Sequence, residues 1–174
     1  MLRGCLLFCL LAGLAPLPAA AAEITGPAEV VDGDTLIVGG QRLRLYGIDA
    51  PEMDQLCATK KGRAYDCGRP AARALRLFLS GNVLRCRERG RADDGTLLAT
   101  CHAGRRDLAQ QMVLEGCALA DPNTGAAYRR SELAARVNRD GLFKGKLLPP
   151  WEWRAGKREI APGVPAAGAP KANQ

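Results

Sequence analysis

Histidine and aromatic side chains are scarce in this chain of 174 residues, which has one His and only 5 % Phe, Trp and Tyr together. The lone His102 follows Cys101 and reads as structural, so acid–base or metal chemistry built on histidine clusters has no basis here. No Gly-rich loop follows a strand-like run, and no serine sits in a nucleophile motif. P-loop and serine-hydrolase chemistry therefore lack their parts. The cysteines show no paired CxxC spacing, which argues against a structural zinc site. No internal repeat is visible. Beyond residue 22 no apolar run is long enough to span a bilayer.

The first 22 residues read as a secretory signal peptide. Arg3 supplies the positive end, Leu6 to Leu14 the short apolar core, and Ala19 to Ala22 a small-residue cleavage site before Glu23. A secreted or periplasmic protein is expected, with one domain over residues 23–155 and no membrane span in the mature chain. Residues 156–174 are rich in Pro, Gly and Ala and are expected to be disordered. The formal net charge is +7. Such a surface suits a polyanion, nucleic acid foremost, although a solubility margin explains the charge equally well. A monomer is expected.

Export permits disulfides. Cys57 and Cys67 flank a short polar loop, and Cys86 and Cys101 lie on two neighbouring strand-like runs, so these two pairs are the predicted bridges. Cys117 lies in an apolar setting and is expected to be a buried free thiol.

Strand patterns cover residues 29–31, 35–38 and 42–46, with Gly39-Gly40 as a hairpin turn. Ala71, Ala72, Leu75 and Leu79 recur at helical spacing, and Gly81-Asn82 ends that helix. Two further strands follow at 83–86 and 97–101. Asp107 is placed to cap one helix and Ser131 another. The expected fold is α+β: a five-stranded Greek-key barrel of the OB type with three helices.

The chemistry is concentrated between residues 31 and 52. Asp32, Asp34, Asp49 and Glu52 lie at the ends of short strands, with Arg44 between them. Converging carboxylates need a hard cation, and oxygen donors favour Ca2+ or Mg2+. An arginine beside them suits a phosphate. Singly, each acid is an ordinary turn or helix-start residue. Together at this spacing they point to a phosphodiesterase site.

Val31-Asp32-Gly33-Asp34-Thr35, Arg44 and Asp49-Ala50-Pro51-Glu52 closely resemble the staphylococcal nuclease-like family. Asp107 to Ala118 resembles its second helix, and Tyr128 to Phe143 its third. Pro149 to Arg154 resembles the close of many bacterial secreted members. The resemblance implies Ca2+-dependent cleavage of phosphodiester bonds in DNA and RNA. It implies Asp34 and Asp49 as calcium carboxylates, Ala50 as a ligand through its backbone carbonyl, and Asp32 as an acidic neighbour of the metal. Glu52 would orient the attacking water, and Arg44 would hold the scissile phosphate. One departure stands out. Thr96 occupies the place of the family's second phosphate-binding arginine, and Asp94 that of an aromatic residue. Threonine cannot form the charged fork, and loss of one such group costs about 3–4 kcal/mol, roughly 10²–10³ in rate. Arg89, Arg91 and Arg105 are the nearby candidates to substitute. A slowed nuclease is therefore expected, with a non-catalytic nucleic-acid-binding module as the alternative and a protein-interaction domain of the envelope as a third reading.

Overall fold

The computed structural model describes residues 23–79, 81–161 and 164–165. The signal-peptide segment lies outside the described residues. Along the chain come β1 (Glu23–Gly26), β2 (Ala28–Val30), β3 (Thr35–Val38), β4 (Gln41–Leu45), β5 (Ile48–Asp49), β6 (Leu56–Ala58) and β7 (Ala64–Asp66). Helix α1 (Gly68–Leu79), β8 (Leu84–Arg91), β9 (Leu97–Ala103), β10 (Arg106–Asp107) and α2 (Leu108–Leu114) follow. The rest comprises β11 (Leu119–Ala120), α3 (Arg129–Asn138), α4 (Pro150–Arg154), β12 (Glu159–Ala161) and β13 (Val164–Pro165).

The main sheet runs in the order β1-β8-β9-β4-β3-β2, with β10 attached to β9. Pairing is antiparallel throughout except between β4 and β9. The two ends of this path, β1 and β2, are consecutive in the chain and separated only by Pro27. Proline has no N–H to give to a ladder, so the partner changes there from β8 to β3. Leu36, Leu43, Leu45 and Leu84 fill one face of the sheet. Leu75 of α1 and Leu108 and Met112 of α2 belong to the same buried cluster. Each such side chain contributes about 2 kcal/mol by leaving water.

The expected strands at 29–31, 35–38, 42–46, 83–86 and 97–101 correspond to β2, β3, β4, β8 and β9. The sheet also holds β1 and β10, which were not anticipated because two- to four-residue strands carry too little alternation to read. Four α-helices are present among the described residues where three were expected. Asp107 caps α2 as predicted, its carboxylate accepting from the Gln110 N–H. Ser131 does not cap α3; the helix starts at Arg129, after a 3-10 turn over Ala126–Tyr128. Both predicted disulfides, Cys57–Cys67 and Cys86–Cys101, are formed, and Cys117 is free. Cys117 is half-buried rather than fully enclosed. Folded structure also passes the boundary expected at residue 155. β12 pairs with β13, and Ile160 is buried with Ala58, Leu148 and Trp153. Residues 166–174 lie outside the described set.

Candidate active site

The turn before β3 is built by Asp32. Its Oδ1 accepts from the N–H of Asp34 at 3.0 Å and of Thr35 at 2.7 Å. Gly33 then lets the turn press into the fold. A Cβ at that position would lie 2.6 Å from Ala50 Cβ and 3.0 Å from Ala71 Cβ, so only glycine allows this approach. The result is that Asp34 meets the end of β5. Its Oδ2 accepts from the Ala50 N–H at 2.8 Å, and its Oδ1 from Thr35 Oγ1 at 3.0 Å. Asp34 and Asp49 are almost closed to solvent, at 5 % and 3 % exposure. Two carboxylates 15 positions apart, one from the turn before β3 and one from the end of β5, thus sit side by side in the protein interior.

Burial pushes Asp34 up to about 8, with repulsion from Asp32 and Asp49 adding to it. Asp49 is also raised, chiefly by burial. Arg44 gives Asp34 only loose relief: its Nε stands 3.8 Å from Asp34 Oδ1, and its Nη2 3.4 Å from Asp94 Oδ2. Both distances exceed the ordinary 2.7–2.9 Å of a charged N–H to carboxylate bond, so the Arg44 fork is not committed to either acid.

Arg154 behaves differently. Its Nη1 and Nη2 donate to the two oxygens of Asp49 at 2.8 and 2.6 Å, and Nη1 also reaches Glu52 Oε1 at 2.6 Å. Gln55 explains how a residue at the end of the fold arrives there. Completely buried, Gln55 accepts from the Glu52 N–H at 3.2 Å and donates to the Leu148 carbonyl at 2.7 Å. Trp153 Nε1 donates to Asp54 at 3.3 Å. The loop carrying Glu52 and the helix carrying Arg154 are therefore fastened together. Sequence reasoning placed neither Arg154 nor Gln55 in the site. The only signal lay in the Trp-Glu-Trp-Arg close of the domain.

In chemical kind the donors fit a hard divalent cation: all are oxygens, two are buried carboxylates, and Asp34 lacks a tight counter-charge. As the side chains stand, Arg154 supplies the positive charge at Asp49 and Glu52, and Asp32 is turned to its own backbone. Among the described residues no three His, Cys, Asp or Glu side chains are grouped closely enough to hold a metal ion.

An open cleft of about 320 Å³ adjoins this cluster, and neither Asp34 nor Glu52 is among its lining residues. Arg44, Asp49 and Arg154 form part of its wall, and Arg91, Asp93 and Asp121 another part. Thr96 is not among the lining residues; its N–H donates to Asp94 at 2.9 Å within the β8–β9 turn. That bond is the main reason the Asp94 carboxyl stays below its ordinary range. Of the three arginines proposed as substitutes, Arg91 lines the cleft, Arg89 lies over the Tyr46 ring, and Arg105 lies exposed in the β9–β10 turn.

A sequence model described as "Staphylococcal nuclease homologue" matches residues 42–145. The chain belongs to the staphylococcal nuclease homologue family. The matched segment contains Arg44, Asp49, Ala50 and Glu52 and leaves Asp32, Asp34 and Arg154 outside. The chain is also similar to the succinoglycan biosynthesis protein ExoI of Rhizobium meliloti (strain 1021), 36 % identical over 130 residues, which are 73 % of this chain and 68 % of that protein. Membership in the family points to nuclease or nucleic-acid-binding function. Among the described residues no helix is long and apolar enough to cross a membrane. The two disulfides are consistent with an oxidising, extracytoplasmic location.

Proposed function

We propose that the protein is a secreted or periplasmic Ca2+-dependent nuclease that hydrolyses phosphodiester bonds of DNA or RNA, with catalysis weakened by Thr96. The observation that carries this reading is the pair of buried carboxylates, Asp34 and Asp49, held side by side with a loosely bound Arg44 at the mouth of the cleft. Burying two like charges is costly unless something offsets them. The fold is taken as a small barrel of the OB type, closed where β1 passes into β2.

Asp34, Asp49 and the Ala50 carbonyl would hold Ca2+, with Asp32 as an acidic neighbour. When bound, the cation would offset charge growing on the phosphoryl oxygens. Arg44 would grip the scissile phosphate through its uncommitted fork. Glu52 would orient and deprotonate the attacking water, a task that requires its carboxylate to be released by Arg154. Arg154 and a cation compete for Asp49 and Glu52. Once released, Arg154 stands in the same cleft as Arg44 and supplies the second positive group that residue 96 does not.

The decisive test is digestion of single-stranded DNA by purified protein, with added Ca2+ against chelator. Metal-dependent cleavage is expected, slower than in a relative with both arginines. No cleavage at high protein concentration favours the second reading, a non-catalytic nucleic-acid-binding module. That reading draws on the tight hold of Arg154 on Asp49 and Glu52. The role of ExoI in succinoglycan biosynthesis provides a third substrate class to assay, polysaccharide, in the same experiment.

A further inference from the structure

Strand β8 reads Leu-Arg-Cys-Arg-Glu-Arg-Gly-Arg, and its arginines at 85, 87, 89 and 91 are all exposed. Cys86 and Leu84 point inward, so the first two arginines stand on the outer face at a two-residue step, about 6.7 Å apart. Register with β9 shifts between Glu88 and Gly90. Gly90 has φ 136°, a value only glycine adopts freely, and this bulge bends the end of the strand. Beyond the bend Arg91 lines the catalytic cleft.

Three hollows follow one another along this strand. Arg85, Arg87 and Arg89 line the first, with Glu23, Thr100 and His102. Arg87 and Arg89 also line the second, with Tyr46. Arg91 lines the third, which is the cleft holding Arg44 and Arg154. The Arg89 guanidinium lies over the Tyr46 ring, 5.1 Å from its centroid, and Tyr46 precedes Gly47 of the cleft wall. Among the described residues none of these four arginines takes part in an ion pair, although Glu23 stands opposite Arg87 on β1. Like charges at this spacing repel, and neither Glu23 nor Glu88, the carboxylates that share these hollows, offsets them by an ion pair among the described residues. An external polyanion would.

We infer that the outer face of β8 is a track for single-stranded nucleic acid. Arg85, Arg87 and Arg89 would contact successive phosphates, and Arg91 would deliver the strand to the cleft. Steps of two strand residues are on the order of the separation between phosphates in an extended chain. The stacked Arg89–Tyr46 pair offers a planar surface to an unpaired base, which a duplex keeps hidden. The inference deepens the nuclease reading and rests on it for the nature of the polymer.

The test is binding of a fluorescein-labelled oligodeoxythymidylate in chelator, followed by anisotropy as salt is raised. Affinity should fall steeply with salt. The triple variant Arg85→Gln, Arg87→Gln, Arg89→Gln should bind at least tenfold more weakly and lose about two from the salt slope, near 0.7 for each phosphate contact. The corresponding Lys variants should keep most of the affinity, which separates lost charge from lost folding. Lys60→Gln, Lys61→Gln, Arg63→Gln removes the same charge from the exposed β6–β7 hairpin and should leave the slope unchanged. An equal loss in that control means bulk charge only and overturns the track. So does a duplex of the same length, or a polyuronate, that binds as tightly as the single strand. Binding that obeys the track but gives no cleavage when Ca2+ is restored supports the track and sinks the nuclease reading, so the two fail separately.

Discussion

The acidic floor of the candidate site and the basic face of β8 handle charge in opposite ways. On the floor, Asp34 and Asp49 are buried, and nearly every carboxylate oxygen meets a donor from the same chain. On β8 the arginines face water and make no ion pair among the described residues. Desolvation explains the difference. A buried charge without a partner costs several kcal/mol, whereas an exposed one is satisfied by solvent and costs little to leave open. The buried group must therefore be matched within the protein or by a cation, and the exposed group is left available to a partner.

The largest expected effect breaks the contrast at its loosest buried contact. Arg44→Ala should lower kcat on single-stranded DNA by about 10²–10³, measured with saturating Ca2+. A change below threefold would remove Arg44 from the phosphate. Next comes the floor's internal cation. Arg154→Ala should lower metal-free stability by about 2 kcal/mol, since a charged two-pronged contact is lost. It should also tighten Ca2+ binding by about tenfold in calorimetry, because the competitor for Asp49 and Glu52 is gone. Unchanged Ca2+ affinity would refute competition between the two.

A third prediction concerns pH. Asp34 binds its proton more firmly folded than unfolded, with its value moved from 3.8 to about 8. Its contribution to stability is full below the ordinary carboxylate range and is lost as pH rises through about 8. The metal-free melting temperature should fall over that window, and Asp34→Asn should flatten the decline. A melting temperature that rises with pH, with Asp34→Asn making no difference, would count against the buried, repelled carboxylate. The smallest effect belongs to the exposed side of the cleft. Asp94→Asn removes a 3.4 Å pair with Arg44 and should change stability by about 0.5 kcal/mol or less in chemical denaturation. A loss several times larger would mean that this surface pair behaves like a buried one.

Much of this was legible in the chain. The apolar run at 35–38 beside a turn and the alternation over 42–46 locate β3 and β4, helical spacing locates α1, and Asp107 announces the cap of α2. The cysteine spacings gave both bridges. Asp34, Asp49 and Arg44 stand out in the sequence as candidate site residues; in the fold Arg44 and Asp49 line one cleft, and Asp34 is buried behind it with an oxygen 3.8 Å from Arg44. The helix after Tyr128 was misjudged at its start, because the turn over Ala126–Tyr128 leads straight into it and Ser131 is already inside. Ile160 falls in a segment whose composition reads as a tail, because composition averages over a segment and misses one buried side chain.

Local periodicity and short-range spacing, then, determined β2, β3, β4, β8 and β9, the first two helices, the bridges and the grouping of four acids with one arginine. These depend on residues within a few turns or strand lengths of one another. The tertiary structure alone decided what faces those acids. Arg154 lies 105 positions from Asp49 and is brought to it by Gln55, Leu148 and Trp153. It also decided that Arg91, beyond the bulge at Gly90, lines the same cleft. Neither outcome has a sequence period, because both arise from packing between distant segments, where burial and the need to partner a desolvated charge select the contact.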